Sequence, residues 1–154
     1  MSELRYTLVS DGSSDQALMR ILTWVLREHG VNCAIQEELA DLRRLRLPPK
    51  TLPERILRSI ELYPCNLLFV HRDAEAVPRE QRANEIRLAL TEVAGRIPLP
   101  SATCVVPVRM QEAWLLFNEI ALRRAAANPN GHDELGLPPL ATVEQIPDPK
   151  QLLH

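Results

Sequence analysis

No serine in this chain stands in a Gly-x-Ser-x-Gly turn, and no glycine-rich loop ends in a phosphate-binding lysine. The four histidines, His29, His71, His132 and His154, share no ligand spacing. A nucleophile-elbow hydrolase, a P-loop enzyme and a zinc enzyme are therefore disfavoured. The three cysteines, Cys33, Cys65 and Cys104, stand alone at wide spacings, which argues against a zinc site or a disulfide framework. Each has apolar, strand-like neighbours and is expected as a buried thiol in a reducing compartment. Aromatic residues make up only 4% of the chain, too few for a base-stacking platform, so Trp114 and Phe117 are assigned to the core. A bulk basic charge is also missing: the net charge is −2, and any nucleic-acid contact has to come from a local patch. No uncharged run is long enough to span a membrane, and Met1–Arg5 opens no signal-like apolar core. The expectation is a soluble cytoplasmic protein with no membrane partner, and the sequence leaves its oligomeric state open. Repeats and low-complexity tracts are absent as well.

What remains is the balance of one α/β-sized unit, with 154 residues, 45% of them hydrophobic. The chain is organised around Tyr6-Thr7-Leu8-Val9-Ser10-Asp11-Gly12-Ser13-Ser14-Asp15, a buried strand that turns straight into a helix. Ser13 or Ser14 can cap that helix, Gly12 permits the turn, and Asp15 complements the helix dipole. Ala17, Leu18, Ile21, Leu22 and Val25 recur at helical spacing to about His29, with Trp24 and Leu26 widening the apolar face. A short second strand is expected at Val31–Ile35, a helix at 52–63, and a fully buried strand at Asn66–Val70. A helix at 79–94, a strand at Thr103–Val108 and a helix from Arg109 to about Ala126 complete the alternation. The domain is drawn at 1–127. The Pro-rich extension 128–154 is expected to be mostly extended and to pack on the same domain. Its Asp148-Pro149-Lys150 helix start stops after one turn, as though cut from a longer domain.

Strands alternating with helices predict an α/β fold of about four mainly parallel strands joined by right-handed crossovers. In such a sheet Asp11, Asp73 and Glu112 all leave strands at the carboxyl edge, where ligands bind in open α/β sheets. Clustered carboxylates repel unless a cation joins them, and hard oxygen donors suit Mg2+, with Mn2+ able to stand in. Asp15 and Glu75 are candidate further ligands, His71 a candidate proton-transfer group, and Arg109 a candidate clamp on developing phosphate charge. The competing reading gives these side chains ordinary work as surface ion pairs and caps. Arg43, Arg44, Arg46 and Lys50, with Arg55 and Arg58 beyond, form a basic run that is either a solvated face or a phosphate-backbone surface.

Three segments, Leu8–Asp15, Leu68-Phe69-Val70-His71-Arg72-Asp73-Ala74-Glu75 and Arg109-Met110-Gln111-Glu112-Ala113-Trp114-Leu115-Leu116, together resemble the Toprim-like proteins of bacteria. More narrowly, they resemble a small group often encoded beside an ATPase and related to the nuclease domain of overcoming-lysogenization-defect proteins. The resemblance implies a Rossmann-like Toprim fold and a Mg2+-dependent nuclease acting on DNA in a DNA-processing or anti-phage system, with an ATPase partner. Asp11 stands where that family has a glutamate. The family's Asp-x-Asp maps either to His71-Arg72-Asp73 or to Asp73-Ala74-Glu75. Asp11, Asp73, Glu75 and Glu112 would hold the metal, and Arg43, Arg44 and Arg46 would contact the backbone. The alternative is a catalytically degenerate Toprim-like module that binds a partner protein or nucleotide.

Overall fold

The computed structural model describes residues 3–12, 14–74, 77–107, 116, 118–148 and 151. These divide into two compact units, one of Met1–Arg72 and Arg79–Val106, the other of Asp73–Pro78 and Pro107–His154.

The first unit is a Rossmann-like α/β layer built on a four-stranded, all-parallel sheet. Its strands are β1 (Glu3–Val9), β2 (Ala34–Leu39), β3 (Leu67–His71) and β4 (Ser101–Val105), in the order β2-β1-β3-β4. Between them run α1 (Ala17–Glu28), α2 (Leu52–Leu62) and α3 (Arg79–Ala94). Side chains alternate across β1. The Tyr6 hydroxyl reaches the Met19 carbonyl at 2.8 Å on the α1 side, while the Thr7 hydroxyl donates to the Tyr63 carbonyl at 2.9 Å on the α2 side. Register carries the two faces across the sheet: Phe69 lies with Tyr6, their rings edge to face at 5.3 Å, and Cys104 Sγ points at the Ala83 carbonyl of α3. One face is therefore covered by α1 through Leu18, Met19 and Leu22, and the other by α2 and α3 through Ile56, Ile86 and Val93.

Helix boundaries follow local chemistry. A capping box starts α2: Thr51 accepts the Glu54 N–H at 3.3 Å while the Glu54 carboxylate takes the Thr51 N–H at 3.2 Å, with Pro53 in the first turn. At the end of α1, Gly30 takes φ 85°, and the N–H groups of Gly30 and Val31 close on the carbonyls of Arg27 and Leu26, each at 3.0 Å. The start of α1 differs from expectation: Ser14–Gln16 form a 3-10 turn, and the α-helical N-cap is Gln16 without a side-chain cap.

Three further expectations are corrected. β2 occupies Ala34–Leu39 rather than Val31–Ile35, so it runs through Gln36-Glu37-Glu38. An edge strand tolerates such charge because one of its sides faces solvent, and Glu37 is held there by Tyr6 at 2.9 Å and Thr23 at 2.6 Å. Trp24 is 58% exposed instead of widening the apolar face, because it lies two residues, about 200° of helical turn, beyond the buried Leu22. Cys33, Cys65 and Cys104 are half-buried, and only Cys104 lies in a strand.

The second unit holds α4 (Glu119–Ala125) and a 3-10 turn at Leu140–Gln145, with Leu116 and Val143 buried against Leu137 and Ile146. The helix expected from Arg109 to Ala126 is not continuous. Asn118 is extended, with φ −126° and ψ 93°, and its side chain accepts the Ala121 N–H at 3.0 Å, so α4 begins anew there. Trp114 and Phe117 lie outside the described residues. Within the tail, Leu140–Gln145 forms a 3-10 turn, and its other described residues up to Asp148 are turns and irregular backbone. Among the described residues no helix is long and apolar enough to cross a membrane.

Candidate functional site

Strand order reverses between β1 and β3, and in open parallel sheets the crevice beyond the carboxyl ends at such a reversal is the natural ligand site. Asp11 follows β1 and Arg72 follows β3, and across the reversal the Arg72 Nε stands 3.4 Å from Asp11 Oδ2. The other oxygen of Asp11 receives Arg55, whose guanidinium also donates to the Ser10 carbonyl. Arg55 can reach because α2 follows β2 and so begins at the carboxyl edge; the capping box fixes that first turn. Arg72 is shared with Glu85 at 3.2 Å, which Arg82 also holds at 2.9 Å.

Burial raises the Asp11 carboxyl, but the Arg55 hydrogen bond and the charges of Arg55, Arg72 and His71 outweigh it and hold the group below its ordinary value. Asp11 is therefore a fixed anion at neutral pH. The pair with Arg72 is one of charge alone. The Arg72 Nε is buried and, among the described residues, has no hydrogen-bond acceptor, a condition that normally costs free energy unless a ligand or water supplies one.

Beneath this pair lies a second one. His71 closes β3 with its ring fully buried, its Nδ1 3.1 Å from the Val105 carbonyl. A carbonyl cannot donate, so Nδ1 bears a hydrogen, and Nε2 faces the buried Asp15 carboxylate at 3.7 Å. The same Asp15 oxygen accepts the Gly12 N–H at 3.0 Å, so this acid braces the turn after β1.

Beside Asp11 a cavity of about 210 Å³ opens beyond the ends of β1 and β2. Arg43, Lys50 and Arg55 line it against Asp11 and Asp41, between the Gly12 turn and the Pro48-Pro49 segment. Asp41 caps the 3-10 turn Leu42–Arg44 and pairs with both Arg43 and Arg44 at 3.2 Å. Arg43's hydrogen bond and the charges of Arg43 and Arg44 hold the Asp41 carboxyl below its ordinary value.

Of the residues singled out from sequence, Asp11, Asp15 and His71 come together at one edge, with Arg43 and Lys50 lining the adjoining cavity. Arg44 and Arg46 are exposed and are not among its lining residues, Arg44 with a side chain 89% exposed. Asp73 falls in the second unit, where the neighbouring Ala74 N–H donates to the Pro107 carbonyl at 3.2 Å. Glu75, Arg109 and Glu112 lie outside the described residues. Among the described residues no three His, Cys, Asp or Glu side chains group as a metal site. A divalent ion at Asp11 would have to compete with two guanidiniums already on its oxygens. Sequence reasoning placed Arg55 only in the basic run, without its pairing to Asp11, and did not single out Arg72; these two arginines organise the site. Their signals were present: Arg55 stands near the start of a helix that begins at the carboxyl edge, and Arg72 directly follows a buried strand.

Compared with models of known protein families, with curated proteins and with solved structures, the chain matches none.

Proposed function

We propose that this chain is a Toprim-like, catalytically degenerate module that binds phosphates of nucleotide or nucleic acid at the carboxyl edge of its sheet. The observation that carries the reading is the state of Asp11. The acid at the metal-binding position of the resembled family is already neutralised by Arg55 and Arg72, and among the described residues the Arg72 Nε has no hydrogen-bond acceptor. A phosphate oxygen at the strand reversal would supply that acceptor, and Arg43, Arg44, Arg46 and Lys50 extend the same cationic edge. Contacts of this kind add affinity that falls with salt and do not read sequence.

A second reading rests on the ionised character of Asp11 beside His71 and Asp15: a Mg2+-dependent nuclease, working on DNA with an ATPase partner in a bacterial defence or DNA-processing system. In that reading Asp11 is a metal ligand, and metal entry has to displace Arg55 or Arg72 from it. The two readings separate in one experiment. Supercoiled plasmid and single-stranded DNA are incubated with Mg2+ or Mn2+ and wild type, Asp11→Asn or Asp73→Ala, alone and with a neighbouring ATPase where one is encoded. Salt-dependent DNA binding with no cleavage in any combination supports the module. Cleavage by wild type that either substitution abolishes, with the fold intact, establishes the nuclease and overturns the module.

A further inference from the structure

The cavity beyond β1 and β2 is built differently from a surface that merely attracts a polyanion. Three cationic residues line it beside two carboxylates, Asp11 and Asp41; each acid holds one of the arginines, and at Lys50 the backbone is held. Asp41 takes the Nε of Arg43 at 3.2 Å, which leaves the terminal nitrogens of that guanidinium available. Arg55 is held by Asp11 and the Ser10 carbonyl. The backbone at Lys50 is fixed by its own N–H donating to the Glu54 carboxylate at 3.0 Å and by the preceding Pro48-Pro49. Arginines positioned before a ligand arrives lose little conformational freedom on binding, which makes their contacts effective, while the flexible Lys50 stem lets its ammonium follow the ligand.

Number and size narrow the ligand. A phosphodiester within a strand offers two non-bridging oxygens and needs the chain to leave on both sides. A phosphomonoester offers three terminal oxygens and more negative charge, and leaves on one side only. Three cationic residues against the two carboxylates of Asp11 and Asp41 leave the lining net positive around a cavity of about 210 Å³, which suits one compact terminal phosphate, and the volume is below the roughly 300–1,000 Å³ of sites for drug-sized molecules. There is room for a phosphate and part of a sugar, with Leu42, Pro48 and Pro49 as the apolar wall, while a base would remain outside.

We propose that this cavity is a binding site for the terminal phosphate of a nucleoside phosphomonoester, held by Arg43, Lys50 and Arg55. The nucleoside part of the proposal rests on the function proposed above; the phosphomonoester part does not. The chemistry is shared by a phosphorylated strand end and a free mononucleotide.

The test titrates wild type, by calorimetry and fluorescence anisotropy, with single-stranded DNA bearing a 5′-phosphate, a 3′-phosphate or hydroxyls at both ends, and separately with a mononucleotide. Wild type is expected to prefer a phosphate-ended strand by about tenfold over the hydroxyl-ended one, the scale of a charge-assisted hydrogen bond. The Arg43→Ala/Lys50→Ala double variant should lose that preference with an unchanged melting temperature, since both side chains are exposed or partly so. Arg87→Ala, on an exposed position of α3, should keep it. Saturable mononucleotide binding that the double variant loses, without a preference among strand ends, assigns the site to the free nucleotide and supports the proposal. Equal affinity for all strand ends with no mononucleotide binding overturns the cavity while leaving nucleic-acid binding standing. Mononucleotide binding without any strand binding keeps the cavity and removes the nucleic-acid reading. A preference that survives in the double variant overturns the proposal.

Discussion

Replacing Asp11 by asparagine keeps the size and an acceptor but removes the charge that Arg55 and Arg72 share. Both arginines retain a partner, the Ser10 carbonyl for Arg55 and Glu85 for Arg72, so neither guanidinium is left wholly uncompensated. The Asp11 side chain is 49% exposed, which puts its ion pairs nearer the surface value of about 0.2–1 kcal/mol each than the larger cost of breaking a buried pair. The expected loss at pH 7 is about 1 kcal/mol, or a fall in melting temperature of roughly 2–4 °C for a chain of this size. The folded carboxyl lies below its ordinary value of 3.8, so the unfolded state binds the proton more readily. The stabilisation is therefore fully present above the unfolded value and is lost as pH falls through the folded one. Denaturation of wild type and variant should differ at pH 7, converge at acid pH, and differ less in 0.5 M salt than in 0.05 M because half-exposed charges are screened. An Asp11→Asn protein equal to or more stable than wild type at pH 7 would refute the claim that the two arginines clamp this acid.

Two other substitutions test the scaffold. Tyr6→Phe removes the hydroxyl that lies within 2.9 Å of Met19, Thr23 and Glu37, where burial first and then Glu37 keep the phenol above its ordinary value; it should cost about 1 kcal/mol in urea denaturation, with the slope unchanged. Thr51→Ala should cost about 1 kcal/mol by removing the α2 cap and, because Arg55 leaves the next turn, should also weaken phosphate binding; undiminished affinity would show that the cap does not position Arg55.

Legibility in the sequence followed burial. Leu68, Val70, Ile86 and Val93 are apolar at fixed periods and buried, so β3 and α3 could be placed closely from periodicity. β2 could not, because an edge strand of Ala-Ile-Gln-Glu-Glu-Leu has no apolar alternation; its place comes from hydrogen bonding to β1 and from the Tyr6–Glu37 contact. The carboxyl-edge position of Asp11 and His71 was readable from the strand-to-loop transitions. The identity of Asp11's partners was not. Arg55 is separated from it by 44 residues, and only the folded crossover brings the start of α2 beside the end of β1. Asp41's role was hidden in the same way, since a charge run in sequence does not say which acid holds which arginine.

The strand order also constrains how the chain acquires its shape during synthesis. The first strand made, β1, ends as an interior strand, paired on one side with β2 and on the other with β3, whose Leu67 matches Tyr6. Its second hydrogen-bonding edge stays vacant until about sixty more residues have left the ribosome. During that interval Tyr6-Thr7-Leu8-Val9 is an apolar strand with an open edge, the state in which nascent chains associate wrongly. A stall or truncation before Leu67 would leave that edge permanently unpaired, and such fragments are expected to be recovered in the insoluble fraction or bound to chaperones.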